Sequence, residues 1–189
     1  RGLGDVYKRQ HCNIMKITDL KPTIVWKFFH QVTQVPRPSK KEGKMIEFLE
    51  SFAKEYKIAI KKDEAGNLLM SKPATPGMED RPVVVLQSHM DMVCEKNNGT
   101  KHDFDNDPIE TIVDGEWLRA NGTTLGADNG IGVAAELALL ASDDIQHGPI
   151  ECLFTVDEET GLTGAKALKE GFMTGDILLN LDSEDEGEI

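Results

Sequence analysis

Six side chains in this 189-residue sequence have types and spacings suited to holding divalent cations and activating water: His89, Asp91, Asp128, Glu158, Glu159 and Asp182. His89 and Asp91 are two apart, so in extended structure they share a face. The imidazole can then take a metal through one nitrogen while the carboxylate orients the ring through the other. Glu158 and Glu159 are adjacent and follow an apolar run. Two like charges there are costly unless a cation lies between them or one works as a base, the alternative being a solvated loop. Taken jointly, the set offers nitrogen and oxygen donors of the kind zinc accepts. One aspartate can bridge two ions with its two oxygens, and Glu158 is placed to act as general base on a bound water. That is the outline of a two-metal hydrolase.

The elements that must carry these groups are legible as apolar runs. Segments 83–86, 150–156 and 177–181 read as strands buried on both faces, with helical patterns at 131–140 and 165–168 between them. The alternation predicts an α/β fold with a mostly parallel central sheet and helices on both faces. Each strand runs directly into acidic or imidazole residues, and open α/β sheets bind ligands outside the carboxyl ends of their strands. Upstream, apolar residues from Ile24 to Val32 repeat at helical spacing and end before Pro36 and Pro38. A second amphipathic helix carries Met45, Leu49, Phe52, Ala53 and Tyr56 on one face, with Ser39 as the expected N-cap. Runs 58–62 and 67–71 read as a hairpin turning at 63–66. The glycine-rich GTTLGADNGIG does not match the order of a phosphate loop or of a dinucleotide fingerprint. It reads better as backbone bent tightly around Asp128.

Charge is distributed unevenly. Residues 1–81 hold 16 basic and 10 acidic side chains, the remainder 5 basic and 23 acidic, so +6 is followed by −18 within a total of −12. Such a balance argues against a nucleic-acid partner and against docking on an anionic membrane. The acidic half is either a solvated face or, in part, a set of cation ligands. The three cysteines Cys12, Cys94 and Cys152 lack CxxC pairing and suggest neither a disulfide framework nor a thiolate zinc site. With no apolar run of the roughly 20 residues a membrane helix needs, a cytoplasmic location is expected. Residues 1–14 show no periodicity and precede Met15, and are read as a non-native prefix.

The strings VVLQSHMDMV (84–93), HDFDNDPI (102–109), DGEWLRANGTTLGADNGIGVA (114–134), HGPIECLFTVDEETGLTGA (147–165) and ILLNLDSEDEGEI (177–189), with VPRPS (35–39) and KPATPGME (72–79), resemble the aminoacyl-histidine dipeptidases. These Xaa-His or cytosolic carnosinase-like peptidases belong to a wider group of co-catalytic zinc exopeptidases. The resemblance implies that His89 and Asp182 hold one zinc, that Asp128 bridges two ions and that Glu159 holds the other. Cobalt or manganese are the substitutes. It further implies that Asp91 orients His89, that Glu158 is the general base and that the Asp128–Asn129 peptide is cis. The implied substrate is a dipeptide, preferentially Xaa-His, with no nucleic-acid or membrane partner. The family also carries a lid and dimerisation domain and a late histidine ligand for the second metal. Residues 15–189 are therefore expected to be the N-terminal part of a truncated catalytic domain, poorly active alone, whose full-length form is a homodimer. A related zinc aminopeptidase or deacylase, and a non-catalytic cation-binding module, are the alternative readings.

Overall fold

The computed structural model describes residues 15–183; the expected prefix 1–14 and the acidic residues 184–189 lie outside the described residues. In chain order the elements are α1 (Thr23–Thr33), α2 (Gly43–Tyr56), β1 (Ala59–Lys62), β2 (Leu68–Lys72), β3 (Val84–His89), β4 (Thr111–Asp114), β5 (Trp117–Ala120), α3 (Ala127–Ala141), β6 (Ile150–Thr155), α4 (Thr163–Ala167) and β7 (Ile177–Asn180). Five strands form one sheet in the order β1-β2-β6-β3-β7. β3 pairs in parallel with both β6 and β7, placing His89 opposite Thr155. β2 pairs antiparallel with β6 and with β1, so β2 alone runs against the other four strands. The α/β architecture expected from the sequence is therefore present. The parallel trio at its heart brings three strand C-termini to one edge.

Strand periodicity sorts the core. Leu68, Met70, Cys152 and Phe154 point to one face, where they meet Phe28, Phe29 and Val32 of α1, Met45, Leu49 and Phe52 of α2, and Val133 and Leu137 of α3. Phe28 meets Phe52 edge to face at 5.5 Å between centroids, and Phe52 stacks on Tyr56 at 4.5 Å. Leu69, Val85 and Leu153 point the other way, under Leu168, Phe172 and Met173 beside the short α4. The three long helices thus share one face, and the opposite face has the thinner cover. The Lys72 ammonium closes the layer by donating to the carbonyls of Leu139, Leu140 and Ser142 at the C-terminal end of α3, where orphan carbonyls favour a cation. No helix among the described residues is long and apolar enough to cross a membrane.

Two boundaries differ from the sequence expectation. α2 starts at Gly43 with Glu42 at its N-cap. Ser39 does not cap it, because Lys40 takes a left-handed φ of 67° that separates Ser39 from the helix, and the Ser39 side chain bonds to Asp91 instead. α3 starts at Ala127 and not near Ile131, with a kink at Asp128 and Asn129 where the backbone leaves helical geometry. The β4–β5 hairpin was not anticipated, although Asp114-Gly115 between two alternating runs is a recognised turn signal.

Glu136 of α3 is fully buried, and its carboxylate oxygens make no hydrogen bond of good geometry, the Ser88 hydroxyl being a weak neighbour at most. Burial pushes its pKa well above the usual carboxylate range, with the Ser88 hydroxyl pulling weakly the other way. Since the folded-state pKa is raised, the stability associated with the neutral acid is fully present below the unfolded value of about 4.3 and is lost as pH rises through the folded value. Glu136→Met, which keeps a similar unbranched volume, is expected to raise stability at pH 7 by about 1–3 kcal/mol, the range for an unsatisfied buried polar group. It should also flatten the decline in stability above pH 5, measured by urea unfolding across a pH series.

Candidate metal centre

The carboxyl ends of β3, β6 and β7 and the N-terminus of α3 meet at one place. His89, the last residue of β3, is fully buried. Its Nδ1 lies 3.2 Å from Asp91 Oδ1 and its Nε2 lies 2.9 Å from Asp128 Oδ1. The same Nε2 is 3.8 Å from Asp182 Oδ1 and 4.0 Å from Glu158 Oε2. All six side chains singled out in the sequence are thus brought together. Ligand atoms of His89, Glu158 and Asp182 fall within 4.8 Å of one another, as do those of His89, Asp128 and Glu159. Two three-residue groups share the buried imidazole, while the Asp128 side chain stays 66% exposed and those of Glu158 and Asp182 stay 29% and 27% exposed. The buried residue is the nitrogen donor, and the accessible ones are the carboxylates.

Asp91 is the hub behind this surface. Its Oδ1 accepts the Glu158 backbone N–H at 3.0 Å and its Oδ2 accepts that of Glu159 at 3.2 Å, so one carboxylate orients the imidazole and holds both acidic residues. Burial opposes its ionisation, but the His89 bond and these backbone donors win and hold its pKa at about 2. Burial likewise opposes the charged imidazole, yet the bonds to Asp91 and Asp128 raise His89 to about 9. Glu159 and Asp182 are shifted upward, first by burial and then, against the pull of His89, by the surrounding carboxylates. Crowded like charges around an imidazole are the electrostatic signature of a site suited to cations.

The loop carrying Glu158 and Glu159 is braced at both ends. Asn67, fully buried in the hairpin between β1 and β2, accepts the Val156 N–H at 3.1 Å and donates to the Gly164 carbonyl at 2.8 Å. Glu42 Oε1 accepts the N–H groups of Lys40 and Asp157 at 2.8 and 3.0 Å. The Asp157 carboxylate accepts the hydroxyls of Thr160 and Thr163. Glu42, Asp91 and Asp157 are buried carboxylates lying close together, but this second cluster is filled by the chain's own donors. Around Asp128, Gly126 sits at a left-handed φ of 67°, the Asp128–Asn129 peptide is cis, and a side chain at Gly132 would collide with Asn129 Oδ1.

Sequence reasoning missed Asn67, Glu42, the brace formed by Asp157, and Arg37, whose fully buried guanidinium lies behind the cluster. Isolated polar residues whose partners lie far along the chain or on the backbone leave no periodic signal, and Arg37 entered only within the VPRPS string quoted for its resemblance.

The sequence profile described as "Peptidase family M20/M25/M40" matches residues 85–185, which contain every one of these six side chains. The chain belongs to this peptidase family. It is 49% identical over 174 residues to the cytosol non-specific dipeptidase of Escherichia coli, a match covering 92% of this chain and 36% of that protein. The crystal structure of aminoacylhistidine dipeptidase from Vibrio alginolyticus superposes with a TM-score of 0.90 at 53% identity, covering 92% of this chain and 35% of that one. A tripeptidase from Staphylococcus aureus superposes at 0.71 with 26% identity over 85% of this chain and 43% of its own. The chain spans about a third of the length of the two dipeptidases it matches.

Asp91→Asn is expected to weaken binding of zinc by about 10–100-fold, the usual loss when the partner of a metal-binding histidine is altered. Competition with a chromophoric chelator measures this. An unchanged affinity would show that Asp91 does not orient the ring.

Proposed function

We propose that this chain supplies the metal-binding core of a dinuclear metal dipeptidase that acts on dipeptides with a free amino terminus, preferentially Xaa-His. The observation carrying this reading is the convergence of His89 with two carboxylate groups, Glu158–Asp182 and Asp128–Glu159, at ligand spacing. The donor set fits divalent ions: one imidazole nitrogen and several carboxylate oxygens suit zinc, with cobalt or manganese as substitutes. In this reading His89, Asp182, Asp128 and Glu159 would hold the ions, with Asp128 the most exposed of the candidate ligands. When bound, such ions acidify water and polarise the scissile carbonyl.

The remaining chemistry belongs to the chain. Glu158 stands at the edge of the cluster, its backbone pinned by Asp91 and its carboxylate 29% exposed. It takes a proton from the attacking water and passes it to the nitrogen of the leaving amino acid, as general base and then general acid. Asp91 keeps the imidazole in the orientation that aims Nε2 at the cluster. The braces at Asn67 and Asp157 hold the Glu158 loop against strand β6, so the base is pre-positioned and its ordering is already complete before substrate arrives.

Support for dipeptides comes from the two dipeptidase relatives, one described as a cytosol non-specific dipeptidase and one as an aminoacylhistidine dipeptidase. Support for a second reading, an aminopeptidase on longer peptides, comes from the tripeptidase likeness. A cytoplasmic location follows the cytosolic relative. In this reading a homodimer contact and a further histidine ligand would come from the part of the relatives' length that this chain does not span.

In the whole protein, Glu158→Gln is expected to lower kcat on a Xaa-His dipeptide by about 10²–10⁴-fold, the contribution of a general acid–base group, while metal analysis still finds two ions per chain. Loss of the metal together with activity would assign Glu158 to ligation instead. Faster cleavage of tripeptides than of any dipeptide would favour the second reading.

A further inference from the structure

Arg37 is the largest fully buried side chain of the described residues, 1% exposed, and it lies directly behind the carboxylate cluster. Its Nη1 donates to the carbonyls of Met90 at 3.0 Å and Asp91 at 2.6 Å, on the segment that follows His89. Its Nη2 donates to the carbonyl of Gly126, two residues before Asp128. One planar guanidinium therefore joins the two backbone segments whose side chains face each other as His89 and Asp128. The main chain of Arg37 reinforces the first segment: its own carbonyl accepts the Met92 N–H at 3.2 Å, and Pro38 pairs with Met92 in a parallel bridge.

The seat for this fork is built from glycines of the Asp128 loop. A Cβ on Gly126 would stand 2.5 Å from Arg37 Nη2, and one on Gly130 would stand 2.7 Å from the same atom. The glycine-rich string that fits no phosphate loop thus has a second use beyond bending around Asp128: it opens space for a cation from α1's C-terminal extension. Pro36 and Pro38 on either side of Arg37 restrict its backbone to extended geometry. Burial lowers its pKa to about 10, so it remains charged at neutral pH, with Asp91, Asp128 and Glu159 among the carboxylates that favour that charge.

We infer that Arg37 is a positioning residue that sets the spacing between His89 and Asp128, by tying the Met90–Asp91 and Gly126 carbonyls together, and so tunes divalent-metal affinity. The inference rests on the metallopeptidase reading proposed above. Geometry distinguishes it from simple charge compensation. A lysine carries the same charge but a single nitrogen, and cannot serve both segments with the fixed fork of a guanidinium.

The test is zinc affinity by chelator competition, and the absorption spectrum of the cobalt(II) form, for wild type, Arg37→Lys and Gly130→Ala. Far-UV circular dichroism and thermal melting confirm that each variant is folded. Arg37→Lys is expected to bind zinc at least 10-fold more weakly and to alter the cobalt ligand-field bands, changes that a purely structural role in a folded protein would not produce. Gly130→Ala retains the arginine, adds a good helix former and displaces Nη2, so it should shift affinity in the same direction even if Arg37→Lys fails to fold. A folded Arg37→Lys, or in its absence a folded Gly130→Ala, with wild-type affinity and spectrum overturns the role of Arg37 and leaves the metallopeptidase reading standing. A whole wild-type protein that takes up neither zinc nor cobalt overturns both.

Discussion

Five carboxylates gathered around one buried imidazole repel each other, and the architecture of the acidic half is organised to hold them there. Asp91, Asp128, Glu158, Glu159 and Asp182 arrive from three strand ends and one helix start, and Asp91 and the Glu158–Glu159 segment are braced by groups outside the cluster. Asp91 is secured by His89 and by two backbone N–H groups. The Glu158 and Glu159 segment is secured by Asn67 and Glu42 from the opposite end of the chain. The −18 of residues 82–189 is thus partly a concentrated internal charge, and the +6 of the first half contributes one critical member to it, the guanidinium of Arg37.

Parallel pairing makes this concentration possible. Because β3, β6 and β7 run side by side in one direction, residues with no proximity in sequence end at the same edge. The antiparallel hairpin β1–β2 serves a different purpose. It closes the other side of β6, and its turn delivers Asn67 to the two ends of the Glu158 loop. An all-parallel arrangement would place a crossover there instead of a tight turn, and the brace would lack its origin.

Sequence patterning revealed the parts of this arrangement that obey a period. Apolar runs marked the three parallel strands, and the acidic residues immediately after them marked the edge. The two-residue spacing of His89 and Asp91 indicated a shared face, and the structure places their side chains 3.2 Å apart. The start of α3 was read late because its first turn is Ala-Asp-Asn-Gly, poor in helix formers, and its geometry is broken at Asp128 and Asn129. Ser39 was read as a cap because its residue type suits one. Tertiary contact with Asp91 overrode that local preference. Arg37 and Asn67 were silent for a common reason: their partners are largely backbone groups, which every residue possesses, so no side-chain pattern announces them.

The same distinction explains how the site divides its labour. The carboxylates expected to meet metal or substrate, Asp128, Glu158, Glu159 and Asp182, retain solvent exposure, and the sequence displays all but Asp128 as charge after apolar strands. The groups behind them, His89 as the candidate nitrogen ligand and Asp91, Arg37 and Asn67 as the residues that hold segments in place, are fully or almost fully buried, and each makes hydrogen bonds in more than one direction. A buried polar side chain is stable only when its partners are in place. These four therefore fold correctly only if the segments they join are correctly spaced. Their burial converts the accuracy of folding into the accuracy of the site, and the exposed carboxylates inherit positions that their own mutual repulsion would never select.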